Sequence, residues 1–433
     1  MTIHTHQSAS RRGLTLIEIL VALTMTLIVL GSMMAAFRYA SSEMAIGRAT
    51  IELSNQLRNI EDQIMADLQG MTVAPRPYAE TSIPPGFFEY TEGPLSDNSA
   101  AGTADNYLGD PDDVLHFTVR SEKEPFKGRI TDPNTGAITI IESSLAEVIY
   151  FTFHDDRDGD GLVDFDESIS LYRRHLVIRP DIDLTAHVVA GQSADLFFQL
   201  NDISARIEPG NVFVANTLED LSVRANRFCH VPEVNVAPGS SFPNHLDRVA
   251  LANRRRQSLS VSGSFYSGDD ILLGKIAGFD VRVFSPNAVA DTTTVPGNTV
   301  EPGDAGYASS TPTALAGSYV DLGFTGMGIG EWFSSAPHPD SQLHLNVANG
   351  FVYDTWSPAY ENNGRNDDFD ATTDEAVDGF DNDNANGVDD NLERETMPPY
   401  GKPIRGMQIT LRVVEPNTLQ VEQSSIVKSF VPE

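Results

Sequence analysis

Nineteen consecutive residues, Ile19 to Phe37, carry no charged side chain. As a helix this run spans roughly 28 Å, about the thickness of a bilayer core. Everything after it then reads as the cargo of a membrane-anchored helix. Arg11, Arg12 and Gly13 precede the run, and Glu18 is the one carboxylate at its entrance. A secretory signal has a shorter apolar region and a small-residue cleavage site, and Ala35-Ala36-Phe37 is a poor one. A plain single-pass anchor accounts for the length and the flanking arginines but not for Glu18. An ionised carboxylate in a membrane segment costs on the order of 2.5–3.5 kcal/mol near the centre, less near an end, and it usually has a partner.

The stretch Gly13-Leu14-Thr15-Leu16-Ile17-Glu18 resembles the processing site of type IV prepilins and type II secretion pseudopilins. The resemblance implies that prepilin peptidase cuts after Gly13 on the cytoplasmic side, that the new N-terminal amine of Leu14 is methylated, and that the apolar segment is retained. Leu14 stands where the family usually has Phe, an apolar variant. Glu18 becomes the fifth residue of the mature chain, and its implied role is to meet a neighbouring subunit's N-terminal amine during assembly.

The apolar pattern continues past the membrane. Leu53, Leu57, Ile60, Ile64 and Leu68 recur at helical spacing as one stripe, no proline interrupts from Leu14 to Gln69, and Gly70 is a suitable stop. The expected organisation is a leader over 1–13, a long helix over 14–70 (transmembrane over 14–37, amphipathic over 38–70), and a β-rich periplasmic domain over 71–433. The fold class is α+β, with a mostly antiparallel domain packed on the helix. The absence of proline at Ala35 and the phrase from Leu57 to Leu68 are similar to J-type minor pseudopilins and W-type minor pilins. So are Glu147-Val148-Ile149-Tyr150-Phe151 and Leu171-Tyr172-Arg173-Arg174. Family members of this type are generally shorter, so segments 287–330 and 361–395 look like elaborations.

Removing residues 1–13 takes away Arg11 and Arg12 and moves the net charge from −32 to −34. Nucleic acid and anionic lipid are thereby repelled from the soluble part, and cations are favoured as ligands. Cys229 is the single cysteine, so no intrachain disulfide framework exists and metal is the obvious substitute. Asp156-Arg157-Asp158-Gly159-Asp160-Gly161-Leu162-Val163-Asp164-Phe165-Asp166-Glu167 matches the calcium-loop template. Asp156, Asp158 and Asp160 are the first, third and fifth ligands, and Gly161 gives the turn. Leu162 offers its carbonyl, Asp164 a direct or water-bridged contact, and Glu167 a bidentate carboxylate. No flanking helices are expected, because Ala146–Phe153 and Ser170–Ile178 read as the two strands of a hairpin. The loop is thus expected to clamp Ca2+ structurally rather than to sense it.

A second acidic segment, 361–395, holds thirteen acids and two arginines. Within it, a degenerate calcium loop draws on Asp378, Asp381, Asp383, Asn386, Asp389, Asp390 and Glu393, in a register starting at either Asp381 or Asn382; a disordered acidic loop is the alternative.

Residues 71–113 read as loop. Val114–Val119, Leu221–Ala225 and Phe279–Phe284 read as strands, with Asp132–Gly136 as a turn. Met407–Val413 and Leu419–Phe430 read as a closing hairpin. Segment 287–330 reads as a surface insertion. The basic island Arg254-Arg255-Arg256 is expected to cap a short helix from Leu246 or to pair with nearby carboxylates, with a partner-docking patch as the alternative. Cys229-His230, His338 and His344 complete no zinc spacing. No catalytic motif is found, so an enzyme is not expected. The resemblance implies a minor pseudopilin that helps initiate or cap a periplasmic pseudopilus. Its partners would be other minor and major subunits, prepilin peptidase, the inner membrane and secreted proteins. The alternatives are a minor pilin in adhesion or DNA uptake, and a membrane-tethered calcium-binding protein that never polymerises.

Overall fold

The computed structural model describes residues 15–77, 85–93, 109–155, 168–189, 191–232, 246–254, 270–291, 300–302, 307, 315–323, 351–364, 372–389, 393–394, 396, 398–414 and 421–431. Helix α1, Leu16–Gln69, is continuous over 54 residues, roughly 80 Å long. It opens on a capping box: the Thr15 hydroxyl accepts from Glu18 N–H (3.3 Å), and Glu18 Oε2 accepts from Thr15 N–H (3.1 Å). It stops at Gly70, where a Cβ would lie 2.7 Å from Arg120 O and 2.8 Å from Val119 Cγ1. The glycine is therefore needed for a close approach of backbone to sheet. Its φ of −85° is not left-handed.

The predicted stripe is the contact face of α1. Leu57, Ile60, Ile64 and Leu68 are buried, and Leu53 packs at the margin. They lie against one face of a six-stranded antiparallel sheet built from β1 (Phe88–Glu92), β2 (Val114–Arg120), β5 (Leu145–His154), β6 (Ile169–Val177), β9 (Ile271–Gly274) and β12 (Phe351–Asp354), in the order β12-β1-β2-β5-β6-β9. Alternation along the strands assigns the faces: Phe88, Tyr90, Leu115, Phe117, Val148 and Tyr150 face α1. The same core is closed by a second antiparallel sheet, β11-β10-β13-β14, from β10 (Ile276–Ala290), β11 (Leu315–Val320), β13 (Gly406–Val414) and β14 (Val421–Ser429). The far face of the six-stranded sheet (Ile149, Phe151, Tyr172, Leu176) carries a second core. It is roofed by the hairpin β7 (Ala205–Glu208) and β8 (Val212–Ala215), by α2 (Ala194–Leu200) and by α3 (Arg248–Asn253). Strands β3 (Phe126–Thr131) and β4 (Ile138–Ser143) form a hairpin across the predicted turn at Asp132–Gly136.

Two polar contacts fix α1 to the domain. Asp67, buried on the helix, accepts from Arg173 Nε (2.7 Å), from Arg173 Nη2 (3.1 Å) and from Tyr150 OH (2.5 Å). Nearer the N-terminal end of α1, Ser424 of β14 donates to Glu61.

Three expectations change. Segment 71–113 is not all loop, because Phe88–Glu92 forms β1 and pairs with both β2 and β12. Leu221–Ala225 is not a strand but two 3-10 turns, Asp220–Ser222 and Arg224–Asn226. Asp220 Oδ2 accepts from Thr217 N–H and hydroxyl, and local side-chain bonds of that kind favour turns over ladders. Segment 287–330 is not wholly an insertion, because β10 runs on to Ala290 and Leu315–Val320 pairs with it as β11. The closing hairpin and the β5–β6 pair stand where expected, the latter registered from Ala146↔Val177 to His154↔Ile169. Arg254 ends α3, pairs with Asp195 at 2.9 Å and lies over the Phe198 ring.

Candidate functional site

Helix α1 is long and apolar enough to span a membrane. Its large apolar side chains from Leu16 to Phe37 are all exposed, Phe37 by 75 %. Gly13 and Leu14 lie outside the described residues. Glu18 is described, and its carboxylate closes the helix's own capping box, also accepting from the Thr15 hydroxyl at 3.1 Å.

The segment expected to form a calcium loop, with Asp156, Asp158, Asp160, Leu162, Asp164 and Glu167, also lies outside the described residues. Its frame is visible: β5 and β6 stay paired out to His154↔Ile169, and Asp155 N–H donates to Ser168 O at 3.1 Å. The twelve residues of the template are thus enclosed by a hairpin stem rather than by helices.

In the second acidic segment, oxygens of Asp381, Asp383 and Glu393 lie within 4.8 Å of one another, a group that could hold a metal ion. It joins the two registers, because Asp381 and Asp383 belong to the first and Glu393 to the second. The chain bends for this through left-handed backbone at Asn384 (φ 56°), Asn386 (φ 56°) and Asp389 (φ 53°). Buried Glu393 accepts from Asn382 N–H at 2.5 Å. Asp378 and Asp389 are not brought into this group; their carboxylates accept from Phe380 N–H and Gly379 N–H, both at 2.8 Å. Asp390 lies outside the described residues.

A third group has no counterpart in the sequence reading. Glu92 at the end of β1, and Asp110 and Asp113 just before β2, are all buried, with oxygens within 4.8 Å. Asp113 accepts from Gly93 N–H (3.1 Å) and Val281 N–H (2.6 Å), and Glu92 from the Tyr90 hydroxyl. Burial, and then the charge of Asp113, push Asp110 up to about 12. Burial also raises Glu92, with Asp113 and Asp321 adding to it, and raises Asp113, with Asp280 adding. Arg282 pairs with both Asp280 and Asp321 at 3.0 Å. Two charges 4.8 Å apart repel by about 3.5 kcal/mol at an effective dielectric near 20. Burial and this repulsion favour protons on the group unless a cation takes their place. An all-oxygen donor set of this kind suits Ca2+ or Mg2+ by hardness. The sequence hid it because Glu92, Asp110 and Asp113 come from two edges of a segment that reads as loop. The available signal was Asp110-Pro111-Asp112-Asp113 running straight into an apolar strand.

Cys229 is buried, and burial pushes its thiol up. His230 meets Glu89 rather than a metal-ligand set, and His338 and His344 lie outside the described residues. No protein-family model, curated protein or solved structure matches the chain.

Proposed function

We propose that the chain is a structural minor subunit of a pilin-like filament, read first as a minor pseudopilin of a type II secretion-like system. What supports the reading is one arrangement: an unbroken 54-residue helix whose outer part, from Ile19 to Phe37, exposes large apolar side chains and no charged one and whose inner part is clamped to a β-domain. A lone helix in water would not keep such a surface exposed; lipid, and then the helices of neighbouring subunits, cover it. In this reading the prepilin is cut after Gly13 at the bacterial inner membrane and methylated on Leu14. The β-domain faces the periplasm, where it meets other minor subunits or secreted protein. Ca2+ stiffens that domain in place of disulfides, through the loop at 156–167 and the carboxylate groups.

The tethered, non-polymerising reading is the alternative. Glu18 Oε2 accepts from Thr15 N–H and hydroxyl within the helix's own capping box, and in the filament reading the carboxylate has acceptor sites left for a neighbour's amine. Glu18→Ala separates the two. The filament reading expects normal membrane insertion with loss of incorporation into filament or tip complexes. Unchanged incorporation sinks that reading.

A further inference from the structure

Three large apolar side chains are left in water on one short stretch of the second acidic segment. Val377 is 52 % exposed, Phe380 68 % and Val388 57 %. The backbone gathers them. Asp389 N–H donates to Phe380 O (3.4 Å) and Gly379 N–H to the Asp389 carboxylate (2.8 Å), so 379–380 runs beside 388–389. The stretch is anchored at both ends. Before it, Asp374 accepts from Asn363 N–H and Gly364 N–H, each at 2.9 Å, and Glu375 is buried. Beyond it, Glu393 is buried, and the Thr396 hydroxyl donates to Glu361 (2.7 Å) and accepts from Trp356 Nε1 (2.9 Å).

A single exposed apolar side chain is ordinary, but three gathered on an anchored stretch mark a surface that something covers. The charge around them says what. Residues 372–389 carry Asp374, Glu375, Asp378, Asp381, Asp383 and Asp389 and no lysine or arginine. A divalent cation among Asp381, Asp383 and Glu393 would lower this charge without reversing it. Anionic lipid and nucleic acid are repelled by such a rim. A two-fold contact with a second copy would set the rim against itself. A polypeptide whose basic residues flank an apolar side chain meets both demands, cations on the rim and an apolar contact at the centre.

We infer that Val377, Phe380 and Val388 form a docking tip for a basic segment of a partner protein that carries an apolar side chain between its cations. The acidic rim speeds encounter, and burial of the aromatic anchor slows release. The contact needs neither polymerisation nor bound Ca2+, so it can fail while the filament reading stands, and the reverse.

The test titrates the full chain in phosphatidylcholine nanodiscs with a fluorescein-labelled lysine octapeptide that has leucine and tryptophan at its centre. The all-lysine octapeptide is the control. The expected result is saturable binding of the first peptide, at least about tenfold tighter than the control, with hydrogen-exchange protection centred on 377–389. Added salt should slow association. Phe380→Ser, a change at an exposed side chain, should speed dissociation at least about tenfold and leave the control peptide unaffected. Val388→Ser should act in the same direction. Equal binding by the unmodified chain and Phe380→Ser overturns the inference, as does the lack of saturable binding. So does a different occupant, shown by binding to phosphatidylglycerol vesicles or by self-association that Phe380→Ser abolishes.

Discussion

Replacing Arg173 with methionine tests how helix α1 is fixed to the β-domain. Arg173 on β6 reaches Asp67 on α1 with two nitrogens, at 2.7 and 3.1 Å, and both side chains are almost fully buried. The substitution keeps the aliphatic volume but leaves the Asp67 carboxylate, 4 % exposed, with Tyr150 as its remaining strong donor. Removing one partner of a buried pair costs roughly 3–5 kcal/mol, because the other charge stays desolvated, whereas neutralising both partners is often nearly free. Arg173→Met should therefore lower the stability of the detergent-solubilised chain by about 3–5 kcal/mol in urea, with α1 the first element to gain hydrogen exchange. Asp67→Asn combined with Arg173→Met should recover most of that loss, since the amide oxygen still accepts from Tyr150. A single variant that costs under about 1 kcal/mol, the median for exposed pairs, would refute the clamp. A double variant no more stable than the single would refute the desolvation argument.

Three other outcomes are expected. Gly70→Ala should cost about 1–3 kcal/mol in the same urea titration, because its Cβ would press on Arg120 O and Val119. Chelation should lower the thermal midpoint and Ca2+ should restore it, by about 2.7 kcal/mol at a hundredfold excess over its dissociation constant; a midpoint indifferent to chelator ends the calcium reading. Burial works against the Glu147 charge, but His116, Phe228 N–H and Ser204 outweigh it and hold the carboxyl below its ordinary value. Its contribution is therefore present above the unfolded value of about 4.3 and is lost as pH falls through the folded one. Glu147→Gln should flatten the acid limb of a stability–pH profile.

The parts legible in the sequence were those with a local period or template. The α1 stripe repeats at helical spacing, and β2, β5, β6 and β13 alternate strongly enough to be placed almost to the residue. Hidden features depend on residues far apart in the chain. Asp67 and Arg173 are separated by 106 positions, and nothing near either one marks it as paired. Glu92, Asp110 and Asp113 become a group only when β1, β2 and β10 meet. Arg224 looked like a polar position of an alternating strand, while in the structure it lies in a 3-10 turn and, with Arg227 at the end of that turn, supplies the buried cations. A buried charge cannot be read from its own neighbours in sequence, because its partner is chosen by the fold.

The net charge and the helix length belong together. The apolar run ends at Phe37, the stripe first meets the domain core at Leu53, and the first buried side chain is Leu57. Sixteen to twenty helical residues intervene, roughly 24–30 Å of an upright helix. The screening length at physiological salt is about 8 Å, so repulsion between the acidic domain and anionic headgroups is largely screened over that rise. The same interval exposes Tyr39, Met44 and Ile51, positions that the proposed filament would cover with an adjacent subunit's helix. A tether that only had to hold a calcium-binding domain near a membrane would need neither the rigid rise nor those side chains.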